Sequence, residues 1–229
     1  MSAAGPLLRV DRRLLVCLVT SRRQLTPDAR TTNDEVVALE RWLDEAIGRV
    51  DLIQIRERDL DVRVLHALVR GVAGRARGGT TTVVVNDRAD IARAAGAGGV
   101  HARVSGPSIA RVRPLGPPGW VLGRSVHSVE EVLAEPAADY LVFGTVFPSG
   151  SKGAAVPGQG IGALAAAVRA TRLPVLAIGG VDPRRAAECR EAGAAGVAAI
   201  GLFLPPGRAV GALGITRAEE ALRELRPEK

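Results

Sequence analysis

Several short blocks of this chain carry side chains that can hold an anion or move a proton. Gln54-Ile55-Arg56-Glu57-Arg58 offers two guanidinium groups, and Asn86-Asp87-Arg88 offers an amide and a carboxylate. Gly123-Arg124-Ser125-Val126-His127-Ser128 places an imidazole two residues after a hydroxyl. Ser149, Ser151 and Lys152 lie together in PSGSKG, and two apolar runs end at Gly179-Gly180 and at Ile200-Gly201. Arg56, Arg58 and Lys152 suit phosphate or carboxylate through charge-assisted hydrogen bonds. Ser149 and Ser151 offer hydroxyl donors. Glycines let backbone N–H groups approach an anion closely. His127 exchanges a proton near neutral pH without a large shift.

Each block also has a plain structural reading. Arg56, Glu57 and Arg58 read as a solvated charge run. Asn86-Asp87-Arg88 reads as a helix cap, and Ile178-Gly179-Gly180 as a tight strand-to-helix turn. Of the three histidines, His66 falls in mid-helix and reads as structural. For His101, which ends a short strand, a satisfied core position and a functional one weigh equally. His127 gains weight from its Gly/Arg/Ser surroundings. The case for a site rests on these blocks sharing one rim.

The elements that must build that rim are legible as apolar runs alternating with amphipathic stretches. The runs are residues 14–20, 50–55, 82–86, 99–101, 121–125, 140–144, 175–179 and 196–200. LLVCLV and TVVV are apolar almost throughout, which suits strands buried on both faces of a parallel sheet. In residues 33–47, Val36, Leu39, Leu43, Ala46 and Ile47 share one helical face. Further helices are predicted at residues 62–76, 88–95, 129–135, 161–170, 183–192 and 216–225. Residues 149–160 and 205–214 read as Gly/Pro-rich loops. This rhythm predicts an α/β fold, a (β/α)8 barrel over residues 1–229 as one domain, with an open doubly wound sheet as the alternative. In a barrel, the blocks above all follow strand C-termini, where function resides.

Composition narrows the partners. The chain has 229 residues, of which 47% are hydrophobic, enough for one sizeable core. No apolar run is long enough for a membrane helix, and residues 1–13 read as a flexible lead lacking the apolar core of a secretion signal. Cys17 and Cys189 give neither a disulfide framework nor metal-ligand spacing; they read as small buried residues of a cytoplasmic protein. The net charge of +7 comes with only 3% aromatics and scattered arginines. That disfavours nucleic acid and fits a phosphorylated small molecule.

IQIRER, VNDRADIA, GVH, GRSVHSVEE, DYLVFGTVFPSGSKG, PVLAIGG and GVAAI stand in this order and resemble the blocks of the thiamine phosphate synthase/thiazole tautomerase (TenI) superfamily. The resemblance covers residues 15–203. It implies the barrel, a homodimer and one of two activities. A synthase joins a hydroxymethylpyrimidine diphosphate to a thiazole phosphate, with Mg2+ assisting departure of diphosphate. A tautomerase shifts a proton on a thiazole carboxylate phosphate to make the ring aromatic. IRER and GRSVHS look like the tautomerase. The synthase also has an acidic residue in the loop after GVH, whereas this chain has no Asp or Glu between Gly99 and Glu130. Losing one of two carboxylates weakens a Mg2+ site, and Arg103 adds positive charge there. The tautomerase is therefore the expectation, with a phosphorylated thiazole as partner and no metal or cofactor. The synthase, with Mg2+ on Asp87, is the alternative, and a non-catalytic thiazole or thiamine phosphate-binding regulator the second. By the same resemblance His127 is the acid–base group, and Arg56 with backbone donors takes the substrate carboxylate. Arg58 and Asn86 join the binding set. Gly179, Gly180, Ile200 and Gly201 cradle phosphate, and Ser149, Ser151 and Lys152 match the synthase's hydroxyl/lysine loop.

Overall fold

The computed structural model describes residues 13–149, 157–204 and 213–226. The lead before Arg13, Ser151 and Lys152, and most of the 205–214 loop lie outside the described residues. Eight strands form a closed barrel in sequence order: β1 (Leu15–Val19), β2 (Leu52–Ile55), β3 (Thr82–Asn86), β4 (Gly99–Ala102), β5 (Val121–Val126), β6 (Tyr140–Gly144), β7 (Val175–Ile178) and β8 (Gly196–Ala199). Every pairing is parallel, and β8 closes on β1 with Cys17 opposite Ala198. The open-sheet alternative is thereby excluded.

The continuous apolar runs are explained by two cores. Alternate residues of the strands, Cys17, Val19, Leu52, Val84, Val121, Val142 and Leu176 among them, fill the barrel with Tyr140 and Ala198. The residues between them, among them Val16, Leu18, Ile53, Val83 and Val85, face outward against the helices. The helices are α1 (Arg22–Leu25), α2 (Thr32–Ala46), α3 (Val62–Ala76), α4 (Ala89–Ala95), α5 (Ile109–Val112), α6 (Val129–Leu133), α7 (Gly160–Arg169), α8 (Pro183–Glu191) and α9 (Leu213–Leu222). The stripe read in α2 is buried at Leu39, Leu43 and Ala46, with Trp42 added. Side-chain caps start the helices: Thr31 accepts from Asp34 N–H, Asp61 from Arg63, Ser128 from Glu131 and Asp182 from Arg185.

The expected helix at residues 216–225 begins earlier, at Leu213. Ile215, Ala218 and Leu222 are buried, so packing carries the helix past Thr216. The one-turn α1 and α5 were not expected, because four residues show no period to read. Both thiols are buried, and burial pushes each up to about 12, so neither is reactive near neutral pH. No described helix is long and apolar enough to cross a membrane.

Two features set the site's frame. At the bottom of the barrel, Asp51 accepts from Val16 N–H (2.8 Å) and from Arg226 (2.9 Å), and it pairs with Arg13. Inside, Gly123 makes room for the ring of Tyr140: a Cβ at Gly123 would stand 2.1 Å from Tyr140 Cζ. Valine favours strands, yet Gly123→Val should cost about 1–3 kcal/mol through overpacking. Thermal unfolding would measure it, and an unchanged melting temperature would refute the close approach.

Candidate active site

Inward residues at or just past the C-terminal ends of the strands line a cavity of about 330 Å3 at the barrel mouth. The wall has two characters. Gln54, Asn86, His101 and Ser125, from β2 to β5, are polar. Val142, Ile178, Ile200 and Val19 continue around the ring as an apolar arc. Arg56, Arg58 and Arg103 stand above the polar half, and among the described residues no Asp or Glu lines the cavity. A second cavity of about 540 Å3 adjoins it, lined by Gly179, Gly180, Val181, Ile200 and Gly201. Gln24, Ser149, Ile178, Gly179 and Ile200 line both, so the two form one cleft.

The block after β2 serves three ends. Glu57 is buried and takes the buried Arg22 through its backbone N–H and its guanidinium, each at 3.0 Å. Arg22 also binds Asp59 at 2.6 and 2.8 Å and Glu35 at 2.7 Å. The Arg22 hydrogen bonds hold the Asp59 carboxyl down to about 2. Glu57 is therefore a structural clamp, not part of a solvated run. Arg58 is exposed at the rim. Arg56 is part-buried, its N–H donates to Thr20 Oγ1 (2.9 Å), and its guanidinium has no acceptor among the described residues. Burial, and then the charge of Arg58, lower its pKa from the usual arginine value. A cation that gives up water without a partner is ready for an anionic ligand.

Asp87 sets the direction of a hydrogen-bonded chain. A carboxylate only accepts, so Asn86 Nδ2 donates to Asp87 Oδ2 (2.8 Å). Asn86 Oδ1 must then accept from Gln54 Nε2 (2.9 Å), which leaves Gln54 Oε1 as an acceptor at the cavity wall. Asp87 Oδ1 accepts from Arg103 N–H (2.8 Å). The helix-cap reading of Asn86-Asp87-Arg88 does not hold, because Arg88 is the N-cap of α4 and no side chain caps there.

His101 is buried between Tyr140 Oη (3.1 Å from Nδ1) and Ser125 Oγ (2.8 Å from Nε2). Burial lowers its pKa to about 4, with Asp87 opposing and Arg124 assisting. The ring is neutral near pH 7, so it donates once and accepts once. Tyr140 has no other partner among the described residues, and its hydroxyl donating to Nδ1 leaves Nε2–H to donate to Ser125. The Ser125 O–H is then free to donate into the cavity. His127 stands at the rim with 47% of its side chain exposed. Its N–H donates to Glu131 Oε2 (2.6 Å), and its Nδ1 lies 3.4 Å from the same oxygen.

The loop after β4 is tied from below. Buried Arg124 donates to the carbonyls of Val104 (2.8 Å) and Pro107 (2.6 Å) and pairs with Glu135 at 3.2 Å. At the other end, Gly179 (φ 102°) and Gly180 (φ 61°) take conformations that favour glycine. Gly180 O accepts from Arg185 (2.7 Å), whose guanidinium lies over the Phe147 ring.

Among the expected site residues, Arg56, Arg58, Asn86, His127, Ser149, Gly179 and Ile200 line the first cavity, and Gly180 and Gly201 line the second but not the first. Gln54, Ser125 and Arg103 stood in the blocks and loop read from the sequence but were not assigned to the site. For the first two the signal was present: a polar side chain at an inward position of an apolar strand run. Arg103 follows β4 in a loop whose path only the structure shows.

A family model described as thiamine monophosphate synthase matches residues 18–203. A thiamine-phosphate synthase from Methanoculleus marisnigri is 36% identical over 181 residues, 78% of this chain and 83% of that protein. A putative thiamine-phosphate synthase from Geobacter sulfurreducens is 39% identical over 69% of this chain and 75% of its own. The solved thiamine phosphate pyrophosphorylase from Pyrococcus furiosus superposes with a TM-score of 0.73 at 27% identity, covering 95% of this chain and 97% of that one. These names overturn the expected tautomerase, since the similar proteins are called synthases. The geometry shows why two blocks misled. Arg58 puts only a positive charge at the exposed rim, which by itself distinguishes no chemistry. His127 is exposed and held by Glu131, apart from the hydrogen-bonded pair of buried His101 and part-buried Ser125.

His101 makes stability depend on pH. Its folded pKa lies near 4, below the usual ~6.5 of an unfolded histidine. As pH falls from 7, the unfolded chain takes up the proton first, so stability is lost between about pH 6.5 and 4. From pH 7 to 5 the wild type should lose about 2 kcal/mol more than His101→Asn. Urea unfolding at both pH values measures the difference, and parallel losses would contradict a buried neutral imidazole.

Proposed function

The chain belongs to the thiamine monophosphate synthase (TMP-TENI) family, and on that premise we propose that it joins a hydroxymethylpyrimidine diphosphate to a thiazole phosphate. The observation that carries this reading is one cleft with two ends suited to anions: arginines above β2 and β4, and glycines after β7 and β8. Two phosphorylated reactants need two such ends.

In the proposed arrangement, Arg56 and Arg58 hold the diphosphate, with Asn86 beside them. Gln54 Oε1 and the Ser125 hydroxyl face the polar edge of the pyrimidine, while Ile178, Ile200 and Val19 support the rings. The thiazole phosphate lies against the backbone of Gly179, Gly180, Ile200 and Gly201. The thiazole nitrogen then attacks the methylene carbon. The carbon–oxygen bond breaks, and diphosphate leaves with the electron pair. A carbon–nitrogen bond forms, and no proton moves. Catalysis reduces to alignment and to stabilising charge on the leaving group. His127 and Ser149 add donors at the rim, and by sequence Ser151 and Lys152 follow in the same loop.

The family implies Mg2+, which would supply positive charge to the leaving diphosphate. The described residues do not fit a site for it. They contain no group of three His, Cys, Asp or Glu able to hold a metal. Asp87 already accepts from Asn86 and Arg103, and it is absent from the lining.

Both substrates with Mg2+ should yield thiamine phosphate and diphosphate in equal amounts, followed by thiochrome fluorescence and a diphosphate assay. Arg56→Ala should lower kcat/KM on the order of 10- to 100-fold with little change in melting temperature. Binding of thiazole phosphate without turnover would replace the synthase by a regulator.

A further inference from the structure

We propose that Arg103 is a diphosphate-binding residue, and that guanidinium groups supply the positive charge for which this mouth has no metal ligands. The inference deepens the synthase reading and rests on it.

Three observations converge. First, among the described residues the lining of the first cavity holds Arg56, Arg58 and Arg103 and no carboxylate. A ligand with several negative charges meets only cations there, and a divalent cation meets no anion of the wall. Second, Asp87, the carboxylate beside Arg103, works as a staple. Asp87 takes the Arg103 N–H on one oxygen and the Asn86 amide on the other, and its own N–H donates to His101 O (2.9 Å). Third, the loop that carries Arg103 is a fixed platform while the side chain is not. Arg124 holds its carbonyls from below, and the Arg103 N–H is anchored on Asp87. The Arg103 guanidinium is 53% exposed, and its Nε stands 3.5 Å from Asp87 Oδ2. So loose and solvated a pair is worth little, and the guanidinium can exchange Asp87 for an incoming diphosphate at small cost. A planar fork matches two oxygens of such a ligand at once.

The test is calorimetric titration of inorganic diphosphate into the full chain, first in EDTA and then with excess Mg2+. Saturable binding in EDTA, with an affinity within a few-fold of that in Mg2+, is the expected result. Arg103→Gln keeps the backbone N–H that anchors Asp87 and should weaken binding in EDTA about 10-fold at an unchanged melting temperature. Arg103→Lys should recover part of the loss. Binding only when Mg2+ is added, or full affinity in R103Q, overturns the proposal. Thiamine phosphate formation, assayed on the same preparation, separates the two claims. Turnover together with Mg2+-obligate diphosphate binding overturns the arginine proposal alone. Tight diphosphate binding in EDTA without any turnover overturns the synthase reading.

Discussion

In a closed parallel sheet every second residue of each strand points into the barrel, and the register decides which of them is last before the mouth. Here the paired rows include Asn86 opposite His101 and Ser125 opposite Val142. The character of the cavity follows from that register. Slipping β2 by one residue would replace Gln54 with an isoleucine and turn the amide into the helical layer. The outer core of Val16, Leu18, Ile53 and Val85 against α2 and α3 makes such a slip costly, so packing far from the mouth holds the polar residues at it.

Above that frame, direction is imposed on groups that could otherwise turn either way. An amide side chain has two faces and an imidazole two tautomers. A carboxylate that can only accept settles the faces of Asn86 and Gln54, and a buried tyrosine hydroxyl settles the tautomer of His101. The wall thus presents an acceptor at Gln54 and a donor at Ser125 before any ligand arrives. Neither group must reorganise when charge shifts between the reacting partners.

How much of this was legible in the sequence depends on the range of the interaction that matters. The strands were readable because their own residues report burial on both faces, and the glycines after β7 and β8 because barrels use that corner for anions. Glu57 reads as one charge among three; its role depends on Arg22, 35 residues away. Asp87 resembles a cap or a ligand until the loop after β4 is seen to donate to it. The distinction between synthase and tautomerase failed for a related reason. It leaned on residue types at the rim, where Arg58 and His127 are exposed and substitutions of like charge cost little, and on a carboxylate missing after GVH, while Gln54 and Ser125 were given no role.

The closure of the barrel has a consequence for how the chain is made. β1 pairs with β8 over four positions, and its first residues also depend on Asp51 and Arg226. The earliest strand to leave the ribosome therefore waits for almost the latest. Until β8 emerges, LVCLV presents an unpaired, wholly apolar edge, the kind of surface that invites pairing with another nascent chain. Vectorial synthesis and the circular topology pull against each other in this protein, and the interval before closure is when its β1 edge is most open to mispairing.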